Sequence, residues 1–419
     1  MSENRGHEKH ISDLQAVLEV SRDLAGTTEL RPLLEKVERA ARHVLDCERA
    51  TVFLYDRDKD ELYSRLATGV DEIRFSASLG IAGEVVRTGQ VINVPDAYAD
   101  DRFNPEIDRK TGYRTRNILS FPLLGFDNST VGVLQVLNKS DGAFDPWDEG
   151  LVKTFGAQVG VAVQRQELLE QYAEKQRIQR DLNLAREIQQ GLLPKEAAKV
   201  AGFDIAGWNR PADETGGDCF DYMPLEGGNL AIMLADATGH GIGPALVIAE
   251  CRALFHASIT ASQDLGTVVP QVNNLLEADL PGDRFVTAFL GILSPADDTL
   301  TYLSAGQGPL LKYDFETNTV TELAANGPPL GVIADCPFGK PDHWIMRPGD
   351  MFVLVTDGFF EWANAAGEQF GTERLAEIIR THRTRPSVEI INRMYEDVVE
   401  FAGGTAQSDD LTAVVIKKC

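Results

Sequence analysis

The stretch Leu230-Ala-Ile-Met-Leu-Ala-Asp-Ala-Thr-Gly-His-Gly-Ile242 decides the reading of the C-terminal half. An apolar run that ends on Asp236 describes a strand closing on a carboxylate, and the glycines after it let the chain leave sharply. The same grammar recurs. Asp218 stands in Gly216-Gly-Asp-Cys-Phe-Asp221, Asp357 follows the run Met351-Phe-Val-Leu-Val355 and precedes Gly358, and Asp409-Asp410 precede Leu411-Thr-Ala-Val-Val-Ile416. Taken singly, aspartate beside glycine is ordinary turn chemistry. Taken together, carboxylates at the ends of several strands of one domain can converge on a point, where they would repel one another without a cation between them. Oxygen-only donors with no nearby cysteine or paired histidine suit Mg²⁺ or Mn²⁺ rather than Zn²⁺.

Outward from these motifs, residues 200–419 alternate strand-like runs, Phe285-Val-Thr-Ala-Phe-Leu-Gly291 among them, with two or three helical stretches, which predicts a mixed α+β domain with a largely β core. Pro194 ends a helical pattern that runs from Phe155 to about Leu193. Between Arg165 and Glu187 that pattern carries five basic and five acidic residues, the balance of an exposed or coiled-coil surface. Its seam, Leu168, Tyr172, Ile178, Leu182, Ala185, Ile188 and Leu192, breaks heptad spacing between Tyr172 and Ile178. A dimerising signalling helix and a helix packed on its own chain both fit. Further upstream, Ile11, Leu14, Leu18 and Ser21 predict one helix face and Leu30, Leu34, Val37, Ala41 and Val44 another. Period-two runs at Ala50-Thr-Val-Phe-Leu-Tyr55 and Val131-Gly-Val-Leu-Gln-Val-Leu137 then predict strands, with turns such as 93–98 between them.

The length of 419 residues allows two or three domains, and 43% hydrophobic with 25% charged residues is globular composition. The formal charge of −24 repels phosphate backbones and anionic lipid, so no direct nucleic-acid or membrane partner is expected. No charge-free run reaches the roughly 18 residues of a membrane span, and the start MSENRGHEKH has no signal-peptide core, so a cytoplasmic protein is expected. Five scattered cysteines, Cys47, Cys219, Cys251, Cys336 and Cys419, form no C-x-x-C pair, which points to reduced thiols. None has an arginine six positions later, which excludes a cysteine-nucleophile phosphatase loop.

The ordered set Leu184-Ala-Arg-Glu-Ile-Gln-Gln-Gly-Leu-Leu-Pro194, Gly216-Gly-Asp218, Asp236-Ala-Thr-Gly-His-Gly241, Phe285-Val-Thr-Ala-Phe289, Ala305-Gly306, Gly327-Pro-Pro-Leu-Gly331, Asp350, Thr356-Asp-Gly358 and Asp409-Asp-Leu-Thr412 resembles the SpoIIE-type branch of the metal-dependent PPM serine/threonine phosphatases. The resemblance implies an αββα sandwich over residues 196–419 and a two-ion Mn²⁺ or Mg²⁺ site. By the family pattern Asp218 and Asp236 are ligands, the Ala237 carbonyl adds to one ion, and Asp357 and Asp409 complete the site, with Asp410 the alternate to Asp409. These aspartates are the expected catalytic set. His240 would either protonate the leaving oxygen or cap the helix that begins near Gly243-Pro244. Gln307-Gly308 stands where relatives often have His-Asn, and Phe360-Glu361-Trp362 replaces Thr-Glu-Ala, which bears on substrate preference.

Residues 11–165 resemble a GAF domain through Ile92-Asn-Val-Pro-Asp-Ala-Tyr-Ala-Asp-Asp-Arg-Phe-Asn-Pro105, Thr111-Gly-Tyr-Arg-Thr-Arg-Asn-Ile-Leu-Ser-Phe-Pro122 and Val131-Gly-Val-Leu-Gln-Val-Leu-Asn-Lys139. Asn138-Lys139, Phe144 and Asp148-Glu149 reproduce the pattern of cyclic-nucleotide-binding members. The resemblance implies Asn138, Lys139, Phe144, Asp148 and Phe121 as ligand-site residues, with Lys139 and Asp148 also pairing to brace the pocket. Phe103, Tyr113 and a helix after Asn104-Pro105 could add to such a site, and another small molecule or a dimer contact are alternatives to cAMP or cGMP.

The whole predicts a GAF sensor (11–165), a helical linker (166–195) and a phosphatase domain (196–419), as a homodimer. Its substrate would be a phosphoprotein, for this branch an anti-sigma-factor antagonist in partner-switching control of a sigma factor. A cyclic-dinucleotide synthase is suggested by Gly216-Gly-Asp-Cys-Phe220 but lacks an acid at Cys219 and leaves Asp357 and Asp409-Asp410 unexplained. A catalytically inactive binding module is the other alternative, against which all four ligand positions are acidic.

Overall fold

The stripe Leu30, Leu34, Val37, Ala41 and Val44 is buried along its whole length, as its helical spacing requires. The computed structural model describes residues 2–64, 73–239, 241–280, 282 and 284–419, in two units, Met1–Arg177 and Ile178–Cys419. The division falls inside the expected linker.

In the first unit, α1 (Ser2–Ala25) and α2 (Leu30–Leu45) precede β1 (Cys47–Asp56), β2 (Glu61–Ser64), β3 (Ile73–Ser76), α3 (Gly80–Thr88), β4 (Ile92–Val94), α4 (Glu106–Thr111), β5 (Ile118–Leu124), β6 (Thr130–Lys139) and the larger part of α5 (Pro146–Leu192), whose residues from Ile178 on belong to the second unit. One sheet has the order β3-β2-β1-β6-β5-β4. Its alternation is read directly from β1 and β6: Val52, Leu54, Leu134 and Val136 join the core under the helices, while Phe53 and Val133 face the α3 side. Two expectations change here. Among the described side chains of α1, Val17 and Leu24 are buried and Ile11, Leu14 and Leu18 are exposed, because α1 is set by its packing against the core that α2 shares. The long helix begins at Pro146 rather than near Phe155, with proline at its first position and Asp148 and Glu149 in its first turn. Gly160 allows it onto the sheet, since a Cβ there would stand 2.3 Å from the Leu124 carbonyl oxygen.

The second unit runs β7 (Lys199–Val200), β8 (Phe203–Arg210), β9 (Asp218–Pro224), β10 (Leu230–Ala237), α6 (Ile242–Ala261), α7 (Leu265–Asp279), β11 (Val286–Ser294), β12 (Thr299–Ala305), β13 (Leu310–Asp314), β14 (Thr319–Leu323), β15 (Asp342–Ile345), β16 (Met351–Val355), α8 (Gly358–Glu361), α9 (Thr372–Thr381), α10 (Ser387–Ala402) and β17 (Leu411–Lys418). The strands form two sheets, β15-β12-β11-β10-β9 and β14-β13-β16-β17-β8-β7. Phe220, Ile232, Phe289, Phe352 and Val414 fill the space between the sheets. Outer faces carry α6 and α7 over the first sheet and α8–α10 over the second. That is the αββα sandwich, and because both faces of each central strand are covered, the strands read as continuous apolar runs. Among the described residues α6 is the one helix long and apolar enough to cross a membrane, and it spends Val247, Ile248, Cys251, Phe255 and Ile259 on the core.

Candidate metal centre

Along β10, Leu230, Ile232 and Leu234 face the inter-sheet core, and Ala231, Met233 and Ala235 face the helices. Continued, that alternation puts Asp236 on the inter-sheet side at the strand end. Its partners across the ladder are Asp218 on β9 and Thr287 on β11. The opposite sheet repeats the pattern. Phe352 and Leu354 on β16, and Val414 and Ile416 on β17, face inward, and Thr356 and Thr412 continue those rows. Both threonine hydroxyls donate to Asp218 Oδ2, at 2.7 and 2.6 Å. So at one end of the sandwich the inward positions change from Leu, Ile and Phe to Asp and Thr, and side chains of the two sheets meet.

The adjacent pair Asp409-Asp410 divides its work. Asp410 accepts from the backbone N–H groups of Ala212 at 2.7 Å, of Gly217, and of Asp218 at 3.3 Å, which ties down the loop ahead of β9. Asp409 Oδ1 accepts the N–H of Asp410 at 2.8 Å. The Ala237 carbonyl lies beside that loop, 2.6 Å from where a Cβ on Gly217 would stand. Asp357 stands at the start of α8, and Gly358 next to it is obligatory because a Cβ would come within 2.0 Å of the Asp410 carbonyl oxygen. Gln189 of α5 also grips the loop: its side-chain amide donates to the Gly216 carbonyl at 2.6 Å and accepts the Gly216 N–H at 3.1 Å.

The electrostatics are those of crowded acids. Burial, then Asp236 and Asp410, hold the Asp218 carboxyl well above the usual range. Burial, then Asp357, push Asp236 up to about 8 against a hydrogen bond from Asp218. Burial, then Asp409 and Glu361, raise Asp357 to about 6. Protonation relieves such a cluster at the cost of its charge, and a cation relieves it while keeping that charge. Among the described residues no group of three His, Cys, Asp or Glu side chains already stands as a metal cage. The donor set fits Mg²⁺ or Mn²⁺, which accept carboxylates while retaining several waters.

From sequence, Asp218, Asp236, Ala237, Asp357, Asp409 and Asp410 group as one site, while Thr356, Thr412, Thr287 and Gln189 stand within the quoted motifs without a role. The threonines carry a signal in retrospect, a polar residue continuing the inward parity of an apolar strand. His240 lies outside the described residues.

In the first unit, Phe121 and Phe144 are core residues beneath the helices, the Phe121 ring 6.4 Å from that of Phe155. Lys139 Nζ meets both oxygens of Asp148 at 2.6 Å. Asn138 Oδ1 accepts from the Arg116 N–H at 2.6 Å, and its Nδ2 donates to Glu48, the Tyr113 hydroxyl and the Arg114 carbonyl. These five side chains brace the domain. A cleft on this unit is lined instead by Tyr55, Arg57, Tyr63, Asp127, Gln164 and Gln171. Of the other groups expected near a ligand, Tyr113 lies under the Arg49 guanidinium, Phe103 packs on Tyr98, and α4 is a helix of six residues.

The second unit is a two-sheet sandwich with acids gathered at one end. Residues 226–418 match the family of stage II sporulation protein E (SpoIIE), and residues 29–163 match the GAF domain family. The chain therefore carries a GAF domain followed by a SpoIIE-type phosphatase domain, a type that depends on metal. Asp236, Asp357, Asp409 and Asp410 fall within the matched stretch, and Asp218 lies just ahead of it. Among solved structures, the SiaA PP2C domain of Pseudomonas aeruginosa is 25% identical, with a TM-score of 0.53, covering 59% of this chain and 99% of that one. The RsbU and RsbW domains of a Mycobacterium tuberculosis protein are 24% identical, with a TM-score of 0.46, covering 52% and 60%. A probable 3',5'-cyclic phosphodiesterase, pde-5, of Caenorhabditis elegans is 34% identical over 181 residues, which is 40% of this chain and 24% of that protein. The chain thus spans a quarter or less of the curated relatives it matches first.

Proposed function

We propose that this protein is a metal-dependent protein-serine/threonine phosphatase that removes phosphate from a phosphoprotein, using two Mn²⁺ or Mg²⁺ ions held by Asp218, Asp236, the Ala237 carbonyl, Asp357 and Asp409. The observation that carries this reading is the burial of acids from both sheets beside one another: burial first, and then their neighbouring carboxylates, raise Asp218, Asp236 and Asp357 together. Asp410 spends its oxygens on backbone amides and serves as the brace, which leaves Asp409 as the ligand of the pair. A bound cation pair supplies a polarised water for in-line attack and neutralises phosphoryl oxygens. The chain's own part is placement. Thr356 and Thr412 fix one oxygen of Asp218, Asp410 and Gln189 fix the loop ahead of it, and the inward parity of Asp236 aims it into the gap between the sheets. Hydrolysis of p-nitrophenyl phosphate by the whole chain tests this. Turnover is expected with Mn²⁺ and is expected to vanish in chelator and in Asp357→Asn; turnover that survives both contradicts the reading.

Regulation follows from the tandem arrangement. The GAF domain is proposed to bind a small molecule, with cAMP and cGMP the first candidates because the curated relatives are named for cyclic-nucleotide hydrolysis. Within the second unit, Gln189 on the last turns of α5 clamps Gly216 and so holds the Asp218 loop. Calorimetric titration of the whole chain that gives no heat with either nucleotide retires that ligand assignment. The substrate class, an anti-sigma-factor antagonist, rests on the SpoIIE match and is tested with a phosphorylated protein of that class. A homodimer is proposed through the exposed Leu168, Leu169 and Tyr172 of α5, and a monomer by light scattering contradicts it. Five free cysteines, three of them buried, suit the reducing cytoplasm.

A further inference from the structure

Gln307 is nearly fully buried, 4% exposed, where the loop after β12 passes between the two sheets. Each end of its amide is engaged, and each engagement belongs to a different sheet. Its Oε1 accepts the Thr287 hydroxyl at 2.9 Å, on β11. Its Nε2 donates to the Val355 carbonyl at 2.9 Å, at the end of β16. The orientation of the amide is fixed by chemistry, since a backbone carbonyl only accepts and the NH₂ group must face it. The Gln307 backbone carbonyl is held in turn by the Ser304 hydroxyl, so the side chain leaves a pinned base.

The two anchors are the neighbours of the proposed ligands. Thr287 is the cross-strand partner of Asp236. Val355 precedes Thr356, which donates to Asp218, and Asp357 comes next. We infer that Gln307 is a positioning residue for the cation site, a tie between the sheets that sets the distance of Asp236 from Asp357. The inference rests on the proposed cation site and adds to it a tie on the Asp236 side, beside those of Thr356 and Thr412 to Asp218. Packing alone leaves that width loose at this end, because the inward positions here are short polar side chains, not interlocking Leu and Phe. A buried amide with both ends satisfied also resists displacement, since breaking either bond strands a polar group.

The test is a calorimetric Mg²⁺ titration of the whole chain, well below its melting temperature, without substrate. Gln307→Leu keeps the volume and removes both bonds, and is expected to weaken Mg²⁺ binding about tenfold, the usual effect of losing a group that orients a ligand. Thr287→Val removes a single hydroxyl, so it guards against misfolding, and is expected to weaken binding in the same direction with no additional loss when combined with Gln307→Leu. Gln307→His, which retains one donor and one acceptor, is expected to restore most of the affinity. Asn273→Leu breaks another buried amide tie, from α7 to Ile333 and Gly331, and is expected to lower the melting temperature while leaving Mg²⁺ affinity unchanged. Unchanged affinity in Gln307→Leu and Thr287→Val, with only the melting temperature lowered, overturns the inference. Absence of Mg²⁺ and Mn²⁺ binding by the wild-type protein overturns instead the reading on which it rests.

Discussion

Asp218 and Asp236 are direct cross-strand partners on β9 and β10, so their side chains leave the same face of the sheet at the same level. Two carboxylates so placed, one of them buried, oppose folding of the metal-free protein. Asp236→Asn is expected to raise the metal-free protein's stability by about 1 kcal/mol, while Mn²⁺-dependent turnover falls at least about 100-fold. Thermal unfolding in chelator and p-nitrophenyl phosphate kinetics read the two effects. A variant that is less stable and still active contradicts the assignment.

The same repulsion sets a pH dependence. Without metal Asp236 titrates near 8 and Asp357 near 6, so below pH 8 a cation must displace at least one proton to bind. Mg²⁺ affinity is expected to strengthen about tenfold per pH unit from 6.5 to 7.5. Calorimetry in buffers of different ionisation enthalpy counts the released protons directly, and a pH-independent affinity with no proton release contradicts the account.

In the GAF domain the Lys139–Asp148 pair is 12% and 6% exposed and joins β6 to the start of α5. Removing one partner strands the other. Lys139→Met is expected to cost about 3 kcal/mol, and adding Asp148→Asn in the same chain is expected to recover part of it. Chemical denaturation of the three variants measures this; a double variant no better than Lys139→Met indicates that the stranded charge is not the cause.

Glu38 of α2 is half-buried, and burial raises its carboxyl to about 7 even though Oε1 accepts the Val52 N–H at 3.4 Å. An acid with a raised folded-state pKa contributes stability that is complete below about 4.5 and lost as pH rises through about 7. Glu38→Gln keeps the acceptor and removes the charge. It is expected to stabilise the protein by about 1 kcal/mol at pH 8, after discounting for solvent screening, and to have no advantage at pH 4.5. Melting temperatures across that window check the sign.

What could be read from sequence follows from where the determining physics lies. Alternating parity along Leu230–Ala237 and the glycines at strand ends are local, so the strands and the acids at their ends were legible. That Asp410 accepts from backbone amides was not, because its partners Ala212 and Gly217 lie almost 200 residues away. The buried face of α1 is not set by spacing for a related reason: Ile11, Leu14 and Leu18 are regularly spaced, but burial there is decided by the core beneath α2. In the GAF domain the Lys139–Asp148 pairing that the resemblance implies is present, whereas the partners of Asn138, on Arg116 and Glu48, are set by distant segments and were not legible.

The most direct test of the central claim is anomalous diffraction at the manganese edge from crystals of the whole chain grown with Mn²⁺. The account predicts peaks bordered by Asp218, Asp236, Asp357 and Asp409, at the open end between the two sheets. Crystals that hold manganese elsewhere, or hold none while these four carboxylates stay bonded within the protein, would contradict it.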